Sequence, residues 1–245
     1  MNKNSNTYQI VYAAIMVVVV GAALAWIYMT LKPQQDQNRD NDTRSQILSA
    51  LRITPDGEGQ VIEDAFKKYI VEQYLVNTDG QVTDKSADVA FNVGMKNNVK
   101  LAAGERKLPV FVAKLDDGST KYVIPCYGAG LWGPIWGYVA VDADGQTIYG
   151  ANFSHESETP GLGARIAEQP FQDEFKGKKL YVAGAFKGVA VMKKGQKSTD
   201  GAEQVDALSG ATITSRGVGS MLKNCLAPYD KFLQGLQAGN TNPNK

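Results

Sequence analysis

Hydroxyls, small residues and a glycine gather at Asp206-Ala207-Leu208-Ser209-Gly210-Ala211-Thr212-Ile213-Thr214-Ser215, just ahead of the last amphipathic stretch of the chain. At the start of a helix such a run leaves backbone N–H groups free and makes a seat for an anion such as a phosphate. It also suits plain helix capping by Thr214 or Ser215. It is not a P-loop, because the G-x-x-x-x-G-K-[ST] pattern is absent. A second stretch, Tyr127–Gly137, sets four glycines beside Trp132 and Trp136. That composition suits a backbone passing close to a flat ligand, and equally a glycine-rich turn leading into a strand. A third, Glu158-Thr159-Pro160-Gly161-Leu162-Gly163, reads as a turn with proline ahead of glycine. His155 is the single histidine, so it is either a proton relay or a structural residue. Cys126 and Cys225 are the only cysteines, and both read as small buried hydrophobes. One histidine and two cysteines exclude the common zinc sites and a four-cysteine iron–sulfur cluster, and they allow at most one disulfide.

The elements that must hold these stretches follow from periodicity. Asp42 or Thr43 can cap a short helix through Leu51, with Ile47, Leu48 and Leu51 at helical spacing. A second helix is expected from about Val61 to Leu75, with Ile62, Ala65, Phe66, Tyr69, Ile70 and Tyr74 as its apolar stripe. From Lys107 the period changes to two. Val110–Leu115 and Lys121–Cys126 flank the turn Asp116-Asp117-Gly118-Ser119, and Trp136–Val141 and Thr147–Phe153 flank Asp142-Ala143-Asp144-Gly145, giving two hairpins. Leu180–Ala185 and Gly188–Lys193 add strand-like runs. The last helix carries Val218, Leu222, Cys225, Tyr229, Phe232 and Leu236 on one face, with Pro228 expected to kink or divide it. Helices, then hairpins, then a helix predict an α+β domain with an antiparallel sheet flanked by helices.

The 245 residues hold 26 Lys and Arg against 25 Asp and Glu, with no basic footprint for a nucleic acid. One segment departs from this globular composition. Ile10 to Met29 is apolar throughout apart from Gly21, and as a helix it spans about 30 Å, the depth of a bilayer's hydrocarbon core. Ala23-Leu24-Ala25 resembles a signal-peptide cleavage site, but the apolar run continues through Trp26-Ile27-Tyr28-Met29, which favours a retained anchor in membrane lipid. Lys3 on one flank against Lys32, Arg39 and Arg44 on the other places the large domain inside by the positive-inside count, a rule that long domains escape. The expected organisation is a short tail at 1–9, a transmembrane helix at 10–31, a polar linker at 32–43, a helical part at 44–100 and a ligand-binding domain at 101–240.

Together the three stretches carry a resemblance. Val205–Ser215 (VDALSGATITS) resembles the flavinylation motif of domains that hold FMN covalently through a phosphoester to threonine, which implies Thr212 as the acceptor. His155–Gly163 (HESETPGLG) resembles the second signature of the same FMN-binding domains. Tyr127–Gly137, with Gly130-Leu131-Trp132, is similar to the corresponding stretch in C subunits of sodium-translocating NADH:quinone oxidoreductases, as are the single span and the total length. The G subunits of Rnf ferredoxin:NAD electron-transport complexes share the first two signatures and are the nearer alternative. An anchored binding or scaffold module without redox chemistry is the farther one.

The resemblance implies a single-pass member of a bacterial cytoplasmic (inner) membrane complex that oxidises NADH, reduces ubiquinone and moves sodium ions, with its FMN domain outside the cytoplasm. Such a protein carries electrons and is not catalytic alone; its implied partners are the other subunits and a flavin transferase for maturation. The implied cofactor-binding set is Thr212 with Ser209, Gly210 and Ala211, faced by Leu131, Trp132, Glu158, Thr159, Gly161 and Leu162, with no metal ligand. Leu131, Trp132, Thr159 and Leu162 are expected to flank the flavin ring, and Glu158 to tune its potential or to cap a turn. No dinucleotide fingerprint is present, so NADH binds elsewhere. One uncharged span offers no ion path, so the sodium route also belongs to other subunits.

Overall fold

A computed structural model describes residues 5–239; Lys3, part of the 1–9 tail and the last residue of the 101–240 range lie outside them. The described chain divides into two compact units at the Thr43–Arg44 boundary.

The first unit is helical. Helix α1 runs Asn6–Ala50 with Pro33 inside it, and its apolar part reaches a mean hydropathy of 2.6, long and apolar enough to cross a membrane. The expected polar linker at 32–43 is therefore a correction: those residues continue the helix. Proline removes one N–H and disfavours helix in the residue before it, but helix already formed on either side removes the nucleation cost, and propagation carries through. Arg39 and Asp36 add an exposed ion pair three residues apart at 3.2 Å.

In the second unit the last turn of α1 and the residue after it bury Ile47, Leu48 and Leu51, as the spacing predicts. Helix α2 covers Gln60–Tyr69 and then stops. The expected continuation to Leu75 is the second correction: Ile70–Val76 is strand β1. Helical spacing accounts for Ile62, Ala65, Phe66 and Tyr69, but Ile70 and Tyr74 belong to a run rich in β-branched and aromatic residues that gains a full antiparallel partner in β3, Leu108–Lys114. Tertiary pairing overrides the period. Strand β2, Val82–Asp84, and short helix α3, Met95–Asn98, complete a 44–100 segment that is only partly helical.

Both expected hairpins form. Strand β4 is Thr120–Ala129, β5 is Pro134–Asp142 and β6 is Ile148–His155. The six strands make one antiparallel sheet in the order β2-β1-β3-β4-β5-β6. Because side chains alternate across a strand, neighbours go to opposite cores. Val110, Ile124, Ile135, Val139 and Phe153 face one, with Phe171 and Phe175 among their neighbours; Phe111, Ala113, Val123 and Ala140 face the other, against Ile47, Leu48 and Phe66.

The remaining chain carries α4 (Gln169–Asp173), a two-residue-per-strand hairpin of β7 (Tyr181–Val182) and β8 (Ala185–Phe186), and a parallel pair of β9 (Val189–Met192) with β10 (Glu203–Asp206). The run expected as one strand at Leu180–Ala185 thus folds back on itself through Ala183 and Gly184, both at positive φ. Helix α5 (Thr212–Leu226) packs on β4 and β9, and a 3-10 turn at Ala227–Tyr229 containing Pro228 separates it from α6 (Asp230–Gln237). Val218, Leu222, Cys225, Tyr229, Phe232 and Leu236 are all buried, which is the predicted face. The α+β class with an antiparallel sheet flanked by helices is what the chain forms.

Candidate functional site: the start of helix α5

The three chemistry-bearing stretches meet at the N-terminal end of α5, and a buried carboxylate joins them. Glu158 is 4% exposed. Its Oε2 accepts from Thr214 Oγ1 at 2.6 Å, and its Oε1 accepts from the backbone N–H of Trp132 at 2.8 Å. One side chain thereby ties the β4–β5 loop, the turn after β6 and the first turn of α5. Burial acts to raise the Glu158 carboxyl, but the bonds from Thr214 and from the N–H groups of Trp132 and Leu131 outweigh it and hold the group below the usual carboxylate range. Ionised, it is acceptor-only, matching donors that converge on it.

The glycines explain how a carboxylate fits so closely. A Cβ at Gly130 would strike Glu158 Oε1, and one at Gly163 would strike Glu158 Oε2 and Thr214 Oγ1. Gly210 holds φ +77°, and a Cβ there would come within 2.9 Å of Leu162 Cδ2, so Leu162 lies directly against the Ser-Gly-Ala turn. Outside this cradle four apolar side chains face solvent: Leu131 at 48% exposure, Trp132 at 67%, Leu162 at 44% and Ile213 at 61%. Exposed apolar groups gathered on adjoining segments mark a surface for a ligand or partner.

The hydroxyls around α5 differ in availability. Thr214 is buried and committed to Glu158. Ser215 is buried, donates to Ala211 O at 2.8 Å and accepts the Leu208 N–H at 3.1 Å. Neither caps the helix, a correction to the capping alternative: the N-cap residue is Ala211, which makes no side-chain cap bond. Thr212, the first helical residue, is half-buried, and Ser209 is exposed.

Thr159 and Gly161 shape the turn: the Thr159 carbonyl accepts from Leu162 N–H and Ala164 N–H, each at 3.1 Å, and Gly161 has φ +73°. His155 Nδ1 accepts the Glu158 N–H at 3.3 Å, which gives the histidine a structural bond in the same turn. Leu131, Trp132, Glu158 and Leu162, which the sequence groups with Thr212, lie on segments that the structure brings to the start of α5. Sequence reasoning did not reach the Thr214–Glu158 bond, the cradling roles of Gly130 and Gly163, or the exposed Ile213. A glutamate and a threonine 56 positions apart carry no joint signal in a single chain.

The fold and this site define a class: residues 130–227 match the FMN-binding domain family. The chain is 31% identical to the C subunit of the Na(+)-translocating NADH-quinone reductase of Vibrio campbellii, over 82% of this chain and 85% of that one. It is 30% identical to the corresponding protein of Haemophilus ducreyi, over 93% and 94% of the two chains. Among solved structures, the C subunit from Parabacteroides distasonis superposes with a TM-score of 0.74 at 47% identity, covering 83% of this chain and 96% of that one. The Shewanella oneidensis protein superposes at 0.66 with 31% identity, over 82% and 99%. The chain belongs to the family of C subunits of Na(+)-translocating NADH-quinone reductases.

Proposed function

We propose that this chain is the electron-carrying C subunit of a membrane complex that oxidises NADH, reduces quinone and translocates sodium, and that it holds FMN through a phosphoester on Thr212. Family membership supports the complex and its other subunits as partners. The observation that carries the attachment site is the sorting of hydroxyls at α5. Thr212 is half-buried at the helix start, while Thr214 and Ser215 are buried and already bonded. The first-turn N–H groups of α5, whose N-cap makes no side-chain bond, suit a phosphate placed there.

FMN fits the surroundings. A flat ring tethered at Thr212 has the apolar ledge of Leu131, Trp132, Leu162 and Ile213 on adjoining segments, and Ser209, Gly210 and Ala211 form the tight turn that presents the threonine. When bound, FMN supplies reversible one- and two-electron transfer through its isoalloxazine. The protein's own residues orient it and set its electrostatics. Glu158, kept ionised beneath Trp132, places a negative charge close to the ledge and disfavours added electron density there. Among the described residues no side-chain hydrogen bond places a base on the Thr212 hydroxyl, and Glu158 is occupied by Thr214, which supports maturation by a separate flavin transferase. The apolar part of α1 supports single-pass anchoring in the lipid of the inner membrane, and we place the FMN domain on the periplasmic side.

The test is peptide mass spectrometry on protein produced with and without an active flavin transferase. An FMN-sized adduct on the peptide containing Thr212, lost in Thr212→Ala and present only with the transferase, is expected. An unmodified Thr212 beside a flavinylated control protein, or an adduct that survives Thr212→Ala, overturns the assignment.

A further inference from the structure

At the far end of α5 from Thr212 lies a pair of buried thiols that the flavin site does not use. The two ends of this helix stand about 20 Å apart, at 1.5 Å per residue. Cys126, in β4, is 1% exposed, and Cys225, in the last turn of α5, is 5% exposed. They are brought together although 98 residues lie between them in the chain. Cys225 Sγ accepts the N–H of Tyr127, the residue after Cys126, at 3.4 Å and donates to the Tyr127 carbonyl oxygen at 3.4 Å, while Cys126 Sγ donates to the Ile124 carbonyl at 4.0 Å.

The surroundings of the two thiols make them unequal. The neighbouring Cys126 thiol holds Cys225 below the usual thiol range against the effect of burial, helped by the Tyr127 N–H and the charge of Arg106. Cys225 and burial together push Cys126 well up. Arg106 is fixed in place by donating to the carbonyls of Val99 at 2.7 Å, Leu101 at 2.9 Å and Asn224 at 3.2 Å. The phenol of Tyr229, buried beside both sulfurs, donates to the Pro109 carbonyl at 2.9 Å and not to a thiol. The structure thus brings two free thiols into one core, Cys225 Sγ lying against the peptide that follows Cys126, and two neighbouring thiols are what thiol–disulfide exchange joins.

We propose that Cys126 and Cys225 form a single reversible disulfide that locks the C-terminal end of α5 onto β4. One cysteine supplies the attacking thiolate and the other the second sulfur. Two S–H bonds break and one S–S bond forms, and the two electrons and two protons pass to an external oxidant, a disulfide that becomes two thiols or an azo compound that becomes its hydrazine. Oxidation takes place before α5 packs or when its end opens, because neither sulfur is reachable in the closed fold. The bridge closes a long loop of chain that includes the whole flavin site, so its main effect is to restrict the unfolded state.

The test uses the full-length protein in detergent with the azo oxidant diamide, applied both to the folded protein and during recovery from partial unfolding in urea. After acid quench, complete unfolding and alkylation, the expected product is one cross-linked peptide pair joining Cys126 to Cys225, about 2 Da lighter than the two free peptides. A reductant returns two alkylatable thiols, Cys126→Ser gives no internal bridge, and the bridged protein melts about 10 °C above the reduced one. Two fully alkylated thiols under both conditions, separate blocking of each cysteine without a cross-link, or a bridged form that melts below the reduced one would overturn the proposal.

Discussion

Replacing Glu158 tests whether the site is built around an ionised carboxylate or merely around a side chain of that shape. In Glu158→Ala three donors lose their acceptor: Thr214 Oγ1–H, held at 2.6 Å, and the N–H groups of Trp132 and Leu131, the first at 2.8 Å. The backbone donors belong to exposed residues, so water can reach them, whereas Thr214 is 1% exposed and its hydroxyl is stranded. A stranded buried hydroxyl costs about 1–3 kcal/mol, and lost hydrogen bonds to a charged group add about 1.5–3 kcal/mol, so Glu158→Ala costs about 3–5 kcal/mol. Glu158→Gln keeps an oxygen for the two N–H groups and turns an amide N–H toward Thr214, whose hydroxyl rotates to accept; its cost is about 1 kcal/mol. At about 2–4 °C per kcal/mol for a chain of this size, the alanine variant melts roughly 5–15 °C below the glutamine variant. Thermal unfolding of both full-length variants in one detergent, followed by near-ultraviolet circular dichroism, measures the difference. Equal melting of the two variants, or an alanine variant within about 1 °C of the parent, would refute a carboxylate clasp holding three segments together.

Acid should act on the same clasp. The Glu158 carboxyl sits below its usual value of 4.5, so its stabilising contribution is complete above that value and disappears as pH falls through the lower, folded-state value. The melting gap between parent and Glu158→Gln should therefore hold steady from neutral pH down to about 5 and close only in stronger acid, and a gap already closing near pH 6 would contradict the sign. Gly163→Ala puts a methyl group into Glu158 Oε2 and Thr214 Oγ1, with an expected loss of about 1–3 kcal/mol in denaturant unfolding and, on the proposed placement of FMN, altered flavin fluorescence. Trp132→Ala removes a side chain that is 67% exposed, so it should change the flavin's absorption and fluorescence while shifting the melting temperature by no more than about 2 °C.

What the sequence shows and what it hides divide along physical lines. The hairpins are legible because a period of two bounded by Asp-Asp-Gly-Ser and Asp-Ala-Asp-Gly turns leaves few alternatives, and the structure forms both turns with Gly118 and Gly145 at positive φ. The boundary between α2 and β1 is hidden because Ile70 and Tyr74 satisfy a helical stripe as well as they satisfy a strand, and only the pairing with β3 decides. Strand β10 is hidden for the opposite reason. Glu203-Gln204-Val205-Asp206 has one buried residue and no intrinsic strand preference, and it exists because β9 offers it a parallel edge. The helix through Pro33 is hidden because its polar residues read as linker, while the helix on either side supplies the nucleus.

The site follows the same rule. Residues that share a local signal, such as Ser209-Gly210-Ala211-Thr212, can be found in one dimension. The contact that fixes their geometry, Thr214 to Glu158, is long-range and needs glycine at both 130 and 163 to leave room. Those glycines look like ordinary turn punctuation in the sequence. Their necessity is steric, set by a carboxylate from another segment, and it appears only once the three stretches have been folded against each other.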